Sequence, residues 1–503
     1  MPPAQNGPPT TPPDHVDRTL LRLIGVVLLG GIMGILDSTM VAVAAETLSA
    51  EFNTSLTAIS WASTAFLLTL TVTIPVTAWA IGRYGVRRLW LLGLVLFLAG
   101  SLASALAWNV ESLIVFRVVQ GLGSGVLDPL VLVILARAAG PSRAGRVMGM
   151  MGVVLSLGPV LGPVLGGVVL ESLDWRWMFL INLPVGVVAL YLANRVIPAD
   201  PPPGARTDPA LDLLGFALLA PGFAATVLGL TQAGEHATFA APSVLVPLAL
   251  GAALLLSYVL HALRTHRTPP LIDVRLFRSR SFAASVTVQG LVGLATYAGL
   301  FALPLYYQLL YGHGARSAGL LVAPLGLGSA LAMPLAGRLS DRTGARSLAA
   351  GGAIVAGLGA FALTRMGTDA GELPSACAAF AIGLGLGAVG APTMGALYRT
   401  LPPEKVPQGS SVLYNLNQLG GALGVAVVAL VLGTAGASAE AGAPGDAVGG
   451  FHGVYWFVTG VSVVILLATP LLPGRPATPV TGSEQQEEEG QPAATASPAP
   501  ASR

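Results

Sequence analysis

Three ionisable residues lie inside long apolar segments of the sequence. Asp37 is in the outer part of the first segment, and Arg117 and Asp128 are both in the fourth. An ionisable side chain within a membrane-spanning segment is costly and is rarely kept without a role. The two carboxylates could exchange protons or hold a cation, so the pattern predicts a proton or cation site. The alternative stays open that each only accepts hydrogen bonds from a neighbouring helix.

Arg117 and Asp128 are eleven residues apart. In a helix this spacing separates them by only ~20° around the axis and by ~16 Å along it. We therefore expect both to face the central cavity without pairing directly. Arg117 then needs a carboxylate or carbonyl on another helix, and Asp37 is a candidate. Asp128 is either a second titrating group that attracts cations or a structural aspartate bonded to a neighbouring helix.

Glycines recur at every fourth position in the fifth apolar segment. Gly158, Gly162 and Gly166 share one helix face, where another helix can approach closely, and Gly167 follows. Pro159 and Pro163 each remove a backbone donor and favour a bend. We expect a bent contact surface across which two halves of the molecule move. Ordinary tight packing is the alternative.

A short basic loop occurs twice. Its second copy, Gly337–Arg346, contains Asp341, Arg342 and Gly344, and its first copy, Ala78–Arg88, has glycine at the position of the aspartate. An aspartate near a helix end can cap backbone donors of a neighbouring helix, and arginines can meet helix C-termini. We expect Asp341 to hold one conformation closed at the cytoplasmic side. The alternative is a charge cluster that only sets topology.

A further set of polar and aromatic residues lies in or near the apolar segments and could line a cavity. Anchoring at the membrane surface or hydrogen bonding between helices is the alternative for each. The set is Phe66, Gln289, Tyr297, Gln308, Asn415 and Gln418.

Other classes of site have no pattern here. The sequence contains no phosphate-binding loop, zinc pattern or nucleophile elbow, and its six histidines form no ligand cluster. We therefore predict no metal, no cofactor and no enzymatic activity. A net charge of +2 argues against nucleic acid as a partner, and the single Cys377 can form no intramolecular disulfide.

The composition requires a membrane. Of the 503 residues, 53% are hydrophobic and 10% are charged, whereas soluble proteins carry roughly 25% charged residues. Helical spans need about 20 apolar residues. The fourteen apolar segments are 20–45, 56–78, 88–108, 112–136, 146–170, 177–194, 210–231, 243–263, 283–310, 318–338, 348–365, 375–399, 411–434 and 453–472.

The distribution of basic residues and the repeated loop indicate how these segments are arranged. Most of the 26 lysines and arginines lie in alternate loops, with Arg176, Arg316 and Arg365 as exceptions. This bias predicts that both termini are cytoplasmic. The repeated loop predicts two related six-helix bundles with two inserted helices. The predicted divisions are a disordered tail at 1–17, the first bundle at 18–200, the inserted helices at 201–268, the second bundle at 269–473 and a disordered tail at 474–503.

From about Leu20 to Leu472 the sequence resembles the major facilitator superfamily, in particular its fourteen-helix drug:proton antiporter branch. Departures are Ala42 for asparagine, Glu46 for proline and Gly82 for the loop aspartate, and the resemblance does not account for an acid at Asp128. Five motifs carry the resemblance: Leu36-Asp37-Ser-Thr39-Met-Val41, Arg117-Val-Val-Gln120-Gly121, Gly158-Pro159-Val-Leu-Gly162-Pro163-Val-Leu-Gly166-Gly167, Trp175-Arg-Trp-Met-Phe-Leu-Ile-Asn182-Leu-Pro184-Val-Gly186 and Pro270-Leu-Ile-Asp-Val-Arg-Leu-Phe277.

The resemblance implies an all-α integral membrane protein of the major facilitator fold, with fourteen transmembrane helices. We also expect a monomer in the bacterial cell membrane that exports lipophilic drugs or antibiotics in exchange for protons by alternating access. The buried acids favour cationic substrates, although proton coupling alone would explain them. Asp37, Arg117 and Asp128 would couple protons, and the glycine–proline motif marks exporters. One alternative is an exporter of an endogenous metabolite with the same fold. A second is a non-transporting receptor, which would not need the three buried ionisable residues. A third is an integral-membrane enzyme.

Overall fold

The structure, a computed structural model, describes residues 18–200, 210–265, 269–367, 371–440 and 446–474. The predicted tail at 1–17 lies outside the described residues, as does the tail at 474–503 from residue 475 onward. Parts of the predicted insertion, 201–209 and 266–268, lie outside them as well.

The described residues contain sixteen α-helices. Thirteen spans are long and apolar enough to cross a membrane, and the bent α6 makes a fourteenth, which agrees with the fourteen predicted segments. The helices are α1 Arg18–Val43, α2 Ala45–Glu51, α3 Leu56–Tyr84, α4 Val86–Ala105, α5 Val110–Ala139, α6 Ala144–Ser172, α7 Trp177–Leu180, α8 Asn182–Val196, α9 Leu213–His236, α10 Pro242–Arg264, α11 Arg280–Tyr311, α12 Ala315–Thr343, α13 Ala345–Leu363, α14 Glu372–Thr400, α15 Val406–Glu440 and α16 Asp446–Ala468.

Both copies of the loop motif form the same backbone turn. Gly85 ends α3 and begins α4 with φ +88°, and Gly344 does the same between α12 and α13 with φ +83°. Such positive φ values favour glycine because it has no Cβ. The repeat read from the sequence is therefore also a repeat of backbone geometry.

The helices pack as two groups, which we call the first half (α1–α8) and the second half (α11–α16). The halves meet through α6 and α12 on one side and through α3 and α15 on the other. The contact of α6 with α12 is very close at the predicted cytoplasmic end, since a Cβ on Gly149 would lie 2.5 Å from the Met333 carbonyl oxygen. At that end the halves are closed against each other.

The two inserted helices take different positions. Helix α9 packs against both α3 and α15, so it covers that side of the contact between the halves. Helix α10 packs mainly on α9. It exposes large apolar side chains such as Val246 and Leu256, as expected for a helix that faces lipid.

Candidate functional site

The predicted pairing of Arg117 is present in the structure. Its guanidinium forms an ion pair with the Asp37 carboxylate, and both side chains are fully enclosed. Asp37 also accepts hydrogen bonds from the side-chain amides of Gln120, at 2.8 Å, and Asn182, at 3.1 Å. Arg117 donates to Gln120 Oε1 at 2.7 Å as well. Four polar side chains from α1, α5 and α8 thus form one buried network.

Sequence reasoning did not assign Gln120 and Asn182 to this site, although both stand inside the quoted motifs. Gln120 lies three residues after Arg117, and residues three apart on a helix face the same side, so its position is a usable signal. Asn182 begins α8, and nothing local to the sequence shows that α8 lies beside α1.

The expectation that Arg117 faces the central cavity is wrong. Its guanidinium lies 4.2 Å from the centroid of the Phe66 ring, and Phe66 itself lines the cavity described next. The ring therefore stands between the charge and the cavity. A buried arginine needs a carboxylate more than it needs open space, and the face of an aromatic ring is a favourable neighbour for a cation.

A cavity of about 530 Å³ lies between the halves. Small-molecule sites usually have volumes of ≈ 300–1,000 Å³. Helices α1, α3 and α5 of the first half, α11 and α15 of the second half and the inserted α9 all contribute to its wall. The cavity occupies the part of the molecule away from the closed α6–α12 contact.

Asp128 lines this cavity and connects the two halves. Its Oδ2 accepts a hydrogen bond of 2.7 Å from the Tyr414 hydroxyl of α15, and the residue is only 7% exposed. Tyr414 was not among the predicted residues. Among the described residues that line the cavity, this is the one hydrogen bond we find that joins a buried acid of the first half to a residue of the second half.

The predicted cavity residues divide into two groups. Phe66, Tyr297 and Gln418 line the large cavity, and Gln289 lines an adjoining cavity of about 100 Å³. Gln308 and Asn415 line neither cavity. Asn415 follows Tyr414 in α15, and a step of one residue turns a side chain by about 100° away from its neighbour's direction.

Asp341 occupies the capping position predicted for it. Its two carboxylate oxygens accept from the backbone N–H groups of Gly145 and Arg146, at 2.9 and 3.0 Å, in the first turn of α6. Arg399 of α14 donates to the same carboxylate at 2.9 Å. The two backbone bonds join the second half to the first, and Arg399 holds the carboxylate from within the second half. We call this set of contacts, after the predicted side of the membrane, the cytoplasmic latch. Arg342 is exposed beside it.

The first copy of the loop is capped in a different way. Asp200, beyond the end of α8, accepts from the backbone N–H groups of Arg87 and Arg88, both at 3.0 Å. These donors begin α4, so the bonds stay within the first half. Sequence reasoning missed Asp200 because it lies outside the loop motif.

The glycine face of α6 has a different neighbour from the one expected. Added Cβ atoms would meet Ile35 at Gly158 and Met40 at Gly166, and a Cβ on Gly162 would lie 3.3 Å from the Leu36 carbonyl oxygen. All three neighbours belong to α1 of the same half. The prediction of a contact surface between the halves is therefore wrong for this motif. The close contact between halves uses the earlier glycines of α6, as at Gly149.

The predicted bend in α6 is present. The helix turns by 40° between Gly158 and Leu161, where the sequence places Pro159. Pro163 lies one turn further along. Gly167 faces open space, since a Cβ there would have no neighbour within 4 Å. Among the described residues there is also no group of three or more histidine, cysteine or acidic side chains arranged to hold a metal ion.

Comparison with known proteins adds family information to this geometry. The family model of the Major Facilitator Superfamily matches residues 27–425. A Multidrug resistance protein B homolog of Mycobacterium tuberculosis is 40% identical over 424 residues, which cover 84% of this chain and 77% of that protein. Lincomycin resistance protein LmrB of Listeria innocua is 31% identical over 414 residues, covering 82% and 86%.

A solved structure supports the fold. The human organic anion transporter MFSD10 superposes with a TM-score of 0.62 at 15% identity, covering 91% of this chain and 100% of that one. At this identity the similarity concerns the arrangement of the helices alone.

Proposed function

We propose, from the premise that this chain belongs to the Major Facilitator Superfamily, that it exports lipophilic drugs or antibiotics in exchange for protons. It is a multi-pass membrane transporter and not an enzyme. The names of its relatives as resistance proteins support drug efflux as the activity. The observation that carries the proposal is Asp128, a carboxylate in the wall of a cavity between two halves.

Asp128 is suited to exchange a proton against a substrate. When it is charged it can attract a cationic drug, and when it is protonated that attraction is lost. Its hydrogen bond with Tyr414 links its protonation state to the second half. A change in protonation can therefore favour one arrangement of the halves, which is what alternating access requires.

Asp37 has a different part in the proposal. It is sealed from the cavity and bonded to Arg117, so protonating it here would leave a buried arginine without a counter-charge. We propose that Asp37 accepts a proton only in another arrangement, in which Arg117 has moved. In the arrangement described, with the cytoplasmic latch formed, Asp128 is the buried carboxylate in contact with the cavity.

Transport in expressing cells tests the drug and proton claims together. Cells carrying the protein should accumulate less of a lipophilic cation and of a neutral antibiotic than control cells, and an uncoupler should abolish the difference. For the neutral antibiotic, one proton moved inward through 100 mV is worth about 2.3 kcal/mol, or roughly a fiftyfold gradient. Export that survives the uncoupler contradicts proton coupling. Export of an endogenous metabolite but of no drug supports the alternative substrate class.

The role of Asp128 is tested by comparing Asp128→Asn with Asp128→Glu. The first should reduce uphill export of the cation or shift its pH profile, because it removes the titrating group, and the second should largely restore both. Uptake assays across internal and external pH provide the measurement, with the neutral antibiotic as the control substrate. An Asn variant that exports both compounds with wild-type pH dependence shows Asp128 to be structural.

A further inference from the structure

The inserted helix α9 presents one face to the large cavity. Val227, Leu230, Thr231, Gly234 and Glu235 all line it. Their spacing of i, i+3, i+4, i+7 and i+8 is that of a single helix face. Neither the repeat in the sequence nor the pairing of the two halves assigns any role to this face.

The same end of α9 touches both halves. The Ser60 hydroxyl of α3 donates to Glu235 Oε1 at 3.4 Å. On the other side, a Cβ on Gly234 would lie 3.7 Å from the Cα of Ala426 in α15. Helix α9 thus closes the cavity on the α3–α15 side, and Glu235 lies at its rim.

The charge of Glu235 is available to a ligand. The exposed carboxylate accepts hydrogen bonds from Ser60 and from the Gln232 side-chain amide, the latter at 3.0 Å. Both donors are neutral, so neither cancels the charge. Of the described residues that line the cavity, none is an arginine or a lysine.

Aromatic rings complete the chemistry of the cavity. Phe66, Phe301, Tyr297 and Tyr414 line it, with Asp128 deeper and Glu235 at the rim. Aromatic faces attract organic cations, and two carboxylates in a wall whose described lining holds no arginine or lysine select the same charge. An apolar anion would meet repulsion at both ends of the cavity.

We infer that α9 is a wall of the substrate cavity and that Glu235 is a specificity-determining residue at its outer rim, selecting organic cations with an aromatic or apolar body. This inference rests on the proposed function, since it names the substrate class of that same cavity. It also gives the insertion a binding role in addition to its place in the membrane.

Efflux of tetraphenylphosphonium and of neutral chloramphenicol tests the role of Glu235. Glu235→Gln should lower export of the cation roughly two- to fivefold, the value of an exposed ion pair, and leave export of the neutral compound unchanged. Glu235→Asp should keep most of the cation export. The matched control is Glu111→Gln, because Glu111 is exposed at the same end of the molecule and does not line the cavity.

Labelling of purified protein tests, separately from transport, whether α9 lines the substrate cavity. In a Cys377→Ser background, Thr231→Cys should react with a maleimide more slowly when tetraphenylphosphonium is bound. The slowing should reach roughly tenfold at ten times the Kd, where about a tenth of the sites are free. His236→Cys is the control, since His236 is exposed nearby and does not line the cavity.

The outcomes separate the two proposals. Wild-type protein that exports neither compound contradicts the proposed function. Wild-type export that Glu235→Gln leaves unchanged, together with Thr231→Cys labelling that the cation does not slow, overturns the inference alone. Slowed labelling with unchanged export supports α9 as a wall and overturns the role of Glu235.

Discussion

Asp37 and Arg117 depend on each other for the burial of their charges. Both are enclosed, and the network supplies Asp37 with amide donors from Gln120 and Asn182. A buried pair of this kind adds little net stability, but removing one partner leaves an uncompensated charge. Structural and proton-coupling roles therefore predict different results for single and paired substitutions.

Asp37→Asn alone should destabilise the protein by about 3–5 kcal/mol, because Arg117 loses its counter-charge. Asp37→Asn combined with Arg117→Gln should recover much of that stability, since no unpaired charge remains. Thermal unfolding of purified protein measures both. Uphill efflux should be absent from both variants if Asp37 carries the coupled proton. Wild-type efflux from either folded variant shows that the carboxylate is structural.

Helix ends determine how the halves meet at the predicted cytoplasmic side. Asp341 and Asp200 each accept two backbone N–H groups at the start of a helix, at distances between 2.9 and 3.0 Å. The first set of bonds runs between the halves and the second within one half. Comparing substitutions of the two aspartates therefore separates the effect of losing a helix cap from the effect of losing a contact between the halves.

Asp341→Ala should impair efflux far more than Asp200→Ala, although each removes a cap worth about 1 kcal/mol. The reason is that only Asp341 stabilises contact between the halves, and Gly82 offers no side chain to replace it. Efflux rates, normalised to the amount of folded protein in the membrane, provide the comparison. Equal losses from the two variants, or wild-type efflux from Asp341→Ala, contradict the latch.

The glycine face of α6 gives a second test at this scale. Gly162→Val should cost about 1–3 kcal/mol through overpacking, because its Cβ would meet α1. Gly167→Val removes a glycine from the same helix but should be tolerated better, since no atom lies within 4 Å of the added Cβ. Thermal unfolding of the purified variants measures the difference. Equal destabilisation contradicts the assigned contact.

The whole molecule is closed at one end and holds its large cavity towards the other. The closed end carries the cytoplasmic latch and the basic loops. Because basic loops favour the cytoplasm, we infer an arrangement that faces outward. Under the proposed alternating access, opening at this end would break the latch contacts. In the arrangement described, α9 covers the α3–α15 side.

Reporter fusions test the orientation of the whole chain. A fusion after Arg365, in a loop predicted to be external, should report an external position, and a fusion after Val406 should report the cytoplasm. The reason is that a single membrane span, α14, separates the two points. The assay is activity of a reporter that functions on only one side of the membrane. Signals from the same side contradict the fourteen-span topology.

Much of the fold follows from local sequence. A run of about 20 apolar residues predicts a span wherever it occurs, so the segments containing Asp37 and Asp128 could be assigned without a tertiary structure. The bend at Pro159 and the turn at Gly344 are also local, because they depend on the backbone of those residues. The cost of burying Arg117 predicted a partner, and Asp37 was a sound candidate.

The partners of the remaining residues depended on tertiary packing. Asp128 and Tyr414 are 286 residues apart, and nothing in either segment indicates that α5 and α15 touch. The glycine pattern of α6 predicted a close neighbour but could not show that this neighbour is α1. The apolar face of α9 likewise did not reveal that Glu235 lies at a cavity rim. Local sequence determines which helices form and which faces need a partner, whereas long-range packing decides which surfaces meet.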